Sequence, residues 1–108
     1  MPDTAGIILC TCPDKISAEK IAHLLIANNL AACINIVPGI ISIYKWQEQI
    51  ETAQEHLLLI KSNMGNYQML ETTIKAHHPY ELPEIVAIKI EKGLPDYLNW
   101  IDSCLSSK

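Results

Sequence analysis

Arginine is missing from this 108-residue chain: all eight basic residues are lysine, set against twelve acidic ones, for a formal net charge of -4. Arginine is the usual bidentate partner of phosphate and of base edges, so its absence in an acidic chain argues against nucleic-acid binding. An anionic ligand would have to rely on lysine, histidine or backbone N–H. No apolar stretch reaches 18 residues, which excludes a membrane-spanning helix by sequence. The opening MPDTAGIILC has no basic start and too short an apolar run for a secretory signal. The four cysteines, Cys10, Cys12, Cys33 and Cys104, contain no C-x-x-C pair, so zinc-ribbon and ferredoxin-cluster spacings are absent. A reducing compartment suits such thiols, and the cytoplasm is the expected location.

What is present reads as one globular domain over residues 1–108, with 49% hydrophobic and 19% charged residues and no low-complexity tract. AGIILCTC, residues 5–12, is a short β-forming run that puts Ile8, Cys10 and Cys12 on one face by period two. After Pro13, Ala18, Ile21, Ala22 and Leu25 recur at helical spacing, and Asn28-Asn29 offers a stop. Residues 30–51 and 55–62 both read as strands that pair as a hairpin, with Val37-Pro38-Gly39 as a bulge or bend. A strand from about Ala32 to Trp46 would run on the order of 50 Å, longer than a compact domain of this size, whose radius of gyration is only about 13 Å. Its far half, with Ile40, Ile41, Ile43, Tyr44 and Trp46, must project beyond its own subunit. An apolar ribbon of that kind needs cover from another chain, which predicts an oligomer.

Residues 64–78 form the second helix, with Tyr67, Leu70, Ile74 and His77 on one face and Pro79 setting the stop. Residues 84–91 read as a fourth strand and 94–105 as a short amphipathic helix with Pro95 in its first turn. The order βαββαβ plus a terminal helix is the ferredoxin-like α+β sandwich, an antiparallel sheet with two helices on one face.

That fold hosts many functions, so the site must decide. An RNA-recognition surface needs aromatics on the central strands, and HLLLIKS has none. A Cys–His nucleophilic pair lacks any sequence sign of an oxyanion hole or a third orienting group, so an enzyme is not expected. Metal binding is the economical reading of HHPYELPEI, residues 77–85. Thiolate and imidazole are the donors that zinc and copper prefer, and Cys10, His77 and His78 can supply three of them where Pro79 ends the helix. The bland alternatives stay open at this point. His77 can cap the last helix carbonyls, and Cys10 can be a small buried hydrophobe. Glu81 and Glu84 are either acceptors for imidazole N–H groups or solvated loop charges. Tyr44, Trp46, Tyr80 and Trp100 line a pocket or form an interface, and Lys61 faces a pocket or water. Cys12, Cys33 and Cys104 read as packing residues.

Taken together, LCTCPD, LAACINIVPGIISIYKW, HLLLIKS, HHPYELPEIVAIKI and YLNWI are similar to the CutA divalent-cation tolerance proteins over residues 7–101. The resemblance implies a ferredoxin-like subunit in a tight homotrimer with long hairpins packed between subunits. It also implies copper (Cu2+) binding by Cys10, His77 and His78, with zinc or other divalent cations as further occupants. One departure is local: relatives carry glycine and lysine at the hairpin tip where this chain has Glu48 and Gln49, so a wider loop is expected there. CutA trimers in turn resemble the trimeric PII signalling proteins, and a small-molecule effector in an intersubunit cleft near Trp46, Lys61, Tyr80 and Glu81 is the rival reading.

Overall fold

A computed structural model describes residues 4–105 of the chain. The reading of the opening residues as lacking a secretory signal falls in part on residues 1–3, outside the described residues. Strand β1 (Ala5–Cys12) leads to helix α1 (Lys15–Ala27), then to strands β2 (Cys33–Trp46) and β3 (Gln49–Asn63). A single 3-10 turn (Met64–Asn66), helix α2 (Tyr67–His77), strand β4 (Ile85–Lys89) and helix α3 (Pro95–Leu105) complete it. The sheet order is β2-β3-β1-β4 with every pair antiparallel, the ferredoxin-like α+β arrangement.

Local chemistry explains the boundaries. Asp14, in an extended conformation, caps α1 by accepting the Ser17 N–H at 2.8 Å. At the other end the Asn28 side chain donates to the Leu24 carbonyl at 2.8 Å, and Asn29 takes the left-handed conformation at φ 58°, which asparagine tolerates. Helix α2 stops at His77 because Pro79 forces His78 out of the α region, to ψ 138°.

The core lies between the sheet and the first two helices. Ile8, Cys10 and Cys12 of β1 and Leu58 and Ile60 of β3 meet Ile21 and Leu25 of α1 and Leu70 and Ile74 of α2, all fully or almost fully buried. Burying each large aliphatic side chain contributes roughly 1.5–3 kcal/mol relative to leaving it exposed. Helix α3 packs against β3 and β1 with Ile101 buried outside this cluster.

The hairpin differs from the sequence reading in two respects. The first strand was expected to run to Glu51 and the second to begin at Glu55, yet the chain reverses at Gln47-Glu48, with Trp46 opposite Gln49. QIETAQ therefore pairs back onto residues 41–46, because continuing the ladder satisfies backbone groups that a loop would leave to water. The tip is also tight rather than wide. Gln47 at φ 51° and Glu48 at φ 65° adopt the left-handed conformation without glycine, since a primed two-residue turn matches the twist of the strands it joins. The expected bulge is present: register shifts between Val37 and Ile40, with Gly39 at φ 72°. The hairpin stretches the chain to 46 Å along its longest axis. Its apolar side chains stand bare, Ile43 at 70% and Ile50 at 76% exposure.

Candidate metal centre

Period two on β1 sends Cys10 and Cys12 to the helix side of the sheet, where both are fully buried. Cys10 stands opposite Leu58 of β3 and Ile85 of β4, and Cys12, the last residue of the strand, stands opposite His56. The end of α2 comes down onto this same corner. There His78, released from the helix by Pro79, points its ring at β1.

The ring is held at both nitrogens. Nε2 lies 2.8 Å from the Thr11 carbonyl oxygen, and Nδ1 accepts the Tyr80 N–H at 3.0 Å. These partners fix the tautomer with the proton on Nε2, donating to Thr11. Nε2 is also 3.7 Å from Cys12 Sγ. The donor atoms of Cys10, Cys12 and His78 all lie within 4.8 Å of one another. Next to them the Tyr80 hydroxyl donates to Glu55 Oε2 at 2.8 Å, and Glu55 itself is only 7% exposed. Burial, then this bond to a carboxylate, raises the Tyr80 hydroxyl above the usual phenol range.

The two thiols differ although they sit side by side. A hydrogen bond with Cys12, reinforced by burial, pushes Cys10 far above the usual thiol value, and the same bond lowers Cys12. Two soft sulfurs and an imidazole on one corner form a donor set for thiophilic cations, and binding one displaces the protons the thiols hold.

The sequence reading and this geometry overlap in Cys10 and His78. His77 is elsewhere: it is exposed, and its Nδ1 donates to the Thr73 carbonyl at 3.0 Å within its own helix, as a terminal cap does. The helix runs through His77, so its side chain points away from the one that follows. Cys12 takes the third place in the cluster, although the sequence suggested packing alone; its alternation with Cys10 was the available signal. Glu84 is exposed and its charge reaches Cys10, while Glu81 is exposed on the same link. Lys61 bonds Asn35, and Trp46 sits at the hairpin tip about 40 Å along the ribbon from Lys61. Those two positions do not converge with Tyr80 within one subunit. One further group was not anticipated: His56 Nδ1 is buried without a hydrogen-bond partner, among the described residues the only side-chain nitrogen or oxygen in that state.

A four-stranded ferredoxin-like sandwich with a thiol–imidazole cluster at the end of its first strand defines the class. Residues 6–104 match the family described as CutA1 divalent ion tolerance protein, and the chain belongs to that family. It is 42% identical over 101 residues to the divalent-cation tolerance protein CutA of Yersinia pestis, covering 94% of this chain and 85% of the relative. The crystal structure of CutA from Xylella fastidiosa superposes with a TM-score of 0.93 at 44% identity, covering 96% of this chain and 100% of that one. The structure described as the periplasmic divalent cation tolerance protein CutA from Archaeoglobus fulgidus gives 0.92 at 38% identity, covering 94% and 99%. No helix among the described residues is long and apolar enough to cross a membrane.

Proposed function

We propose that this protein serves metal-ion tolerance by binding divalent cations at the Cys10–His78 corner, copper first among them, with zinc and other divalent ions as further occupants. The observation that carries the reading is the convergence of Cys10, Cys12 and His78 within 4.8 Å at the end of β1. The working form is a homotrimer, in which other subunits cover the bare hairpin; an exposed apolar ribbon of this length favours that arrangement. Four free cysteines suit the cytoplasm.

The test is calorimetric titration of the reduced protein with Cu(II) and Zn(II), beside Cys10→Ser, His78→Ala and His77→Ala. Binding at about one ion per chain, lost in the first two variants and kept in the third, is the expected result. Binding that ignores Cys10 and His78 would return this corner to a structural role and turn the search to an effector between subunits.

A further inference from the structure

Cys12 has no part in the ligand set that the family resemblance implies, yet it stands with Cys10 and His78 while His77 bonds within its own helix. Around a single ion with bonds of about 2.0–2.3 Å, neighbouring donors stand roughly 3.5–4 Å apart. The 3.7 Å between Cys12 Sγ and His78 Nε2 is already that separation. Cys10 and Cys12 project from the same face of one strand, and two residues of extended chain hold their Cα atoms about 6.7 Å apart, at the upper limit for a disulfide. An ion can join these sulfurs more readily than a sulfur–sulfur bond can.

We propose that Cys12 is a metal ligand, and that its pairing with Cys10 and His78 makes this corner a two-thiolate site for a thiophilic divalent d10 cation of the zinc class. The inference rests on the metal-binding reading above, adds a ligand to it, and puts a zinc-class ion ahead of the copper named first there. Charge decides the valence. Two thiolates and a dication sum to zero, so the filled site leaves the core neutral. A monovalent ion would leave net negative charge among fully buried groups and near Glu55, a carboxylate that is itself 7% exposed. Softness decides the element, because paired sulfurs favour zinc-like ions over the oxygen-seeking magnesium and calcium. His77, bonded to its own helix, takes no part.

Ligand identity is a better readout than affinity, since Cu(II) outranks its neighbours at almost any nitrogen–sulfur site. The reduced full-length protein is titrated with Zn(II) against a chromophoric chelator, and separately with Co(II), whose sulfur-to-metal charge-transfer band reports thiolate ligation. Cys12→Ser is expected to weaken Zn(II) by at least about tenfold, since loss of even an outer-shell partner costs that much. It also removes one thiolate's share of the Co(II) band, and His77→Ala changes neither. X-ray absorption on the zinc-loaded wild type needs no variant to fold, and it should count two sulfurs per zinc. If Cys10→Ser and His78→Ala abolish binding while Cys12→Ser retains full affinity and the full band, this inference is overturned and the metal-binding reading stands. If none of the three matters, both fall. Fewer than two sulfurs per zinc likewise overturns the two-thiolate assignment.

Discussion

His78 Nε2 donates to the Thr11 carbonyl at 2.8 Å, and that bond ties the end of α2 to the last turn of the ladder in β1. The same ring accepts the Tyr80 N–H through Nδ1. His78 is thus a clamp between two segments 67 positions apart in sequence. Ligation has to be taken from this clamp. A neutral imidazole has one lone pair in the ring plane, and here Tyr80 uses it.

From this follows a prediction about one amide. If Nδ1 binds the ion, the Tyr80 N–H loses its acceptor directly. If Nε2 binds, the ring proton must move to Nδ1, and the Tyr80 N–H loses its acceptor again. Either way, metal loading is expected to lower the hydrogen-exchange protection of the Tyr80 amide, followed by NMR on the apo and zinc-loaded protein. Unchanged protection in a fully loaded sample would mean that His78 is not a ligand.

The hairpin tip offers a test of backbone strain. Gln47 and Glu48 both occupy the left-handed region, which costs an ordinary L-residue roughly 1–2 kcal/mol relative to its preferred conformation. Asparagine followed by glycine suits both positions of such a turn. Gln47→Asn/Glu48→Gly is expected to stabilise the protein by about 1 kcal/mol per chain in equilibrium urea unfolding. A loss of stability would show that the native side chains make contacts at the tip that outweigh the strain.

The sequence made the element order legible because its periodicities are clean: period two in AGIILCTC, helical spacing in Ala18, Ile21, Ala22 and Leu25, and a proline after each of β1 and α2. The bulge at Val37–Ile40 was legible for the same reason, through Pro38 and Gly39. Where the hairpin turns was not, since Gln47-Glu48 carries none of the usual turn residues and is imposed by the pairing of the strands on either side. At the metal corner, Cys10 and His78 were legible as donor types, but the choice between His77 and Cys12 was not. That choice depends on where α2 ends relative to β1, to within one residue. A helix that stopped one position earlier would free His77 from its Thr73 bond.

The cap of α1 gives a pH dependence with a definite sign. Asp14 has its carboxyl held below the ordinary aspartate range, first by the Ser17 backbone N–H and then by the Ser17 side chain. A carboxyl whose folded pKa is depressed contributes stability that is fully present above its unfolded value, about 3.9, and is lost as pH falls through the folded value. The thermal midpoint should therefore decline as the medium is acidified below that point. Asp14→Asn, which still accepts from Ser17 but cannot titrate, should flatten this part of the profile. If the variant and the wild type decline in parallel, other carboxylates govern the acid limb.

His56 Nδ1 bears on stability in the opposite sense. It is buried opposite Cys12 with no hydrogen-bond partner. An unsatisfied buried polar atom costs roughly 1–3 kcal/mol, and an apolar side chain of similar size avoids that cost. His56→Leu is expected to raise stability by about 1 kcal/mol, after allowing for the ring's partial exposure. Urea unfolding of the metal-free chain measures it directly. The same comparison repeated with zinc separates two roles for the ring. A purely structural His56 gives the same gain with and without the ion, whereas a gain that reverses on loading would identify His56 as a fourth donor beside Cys12.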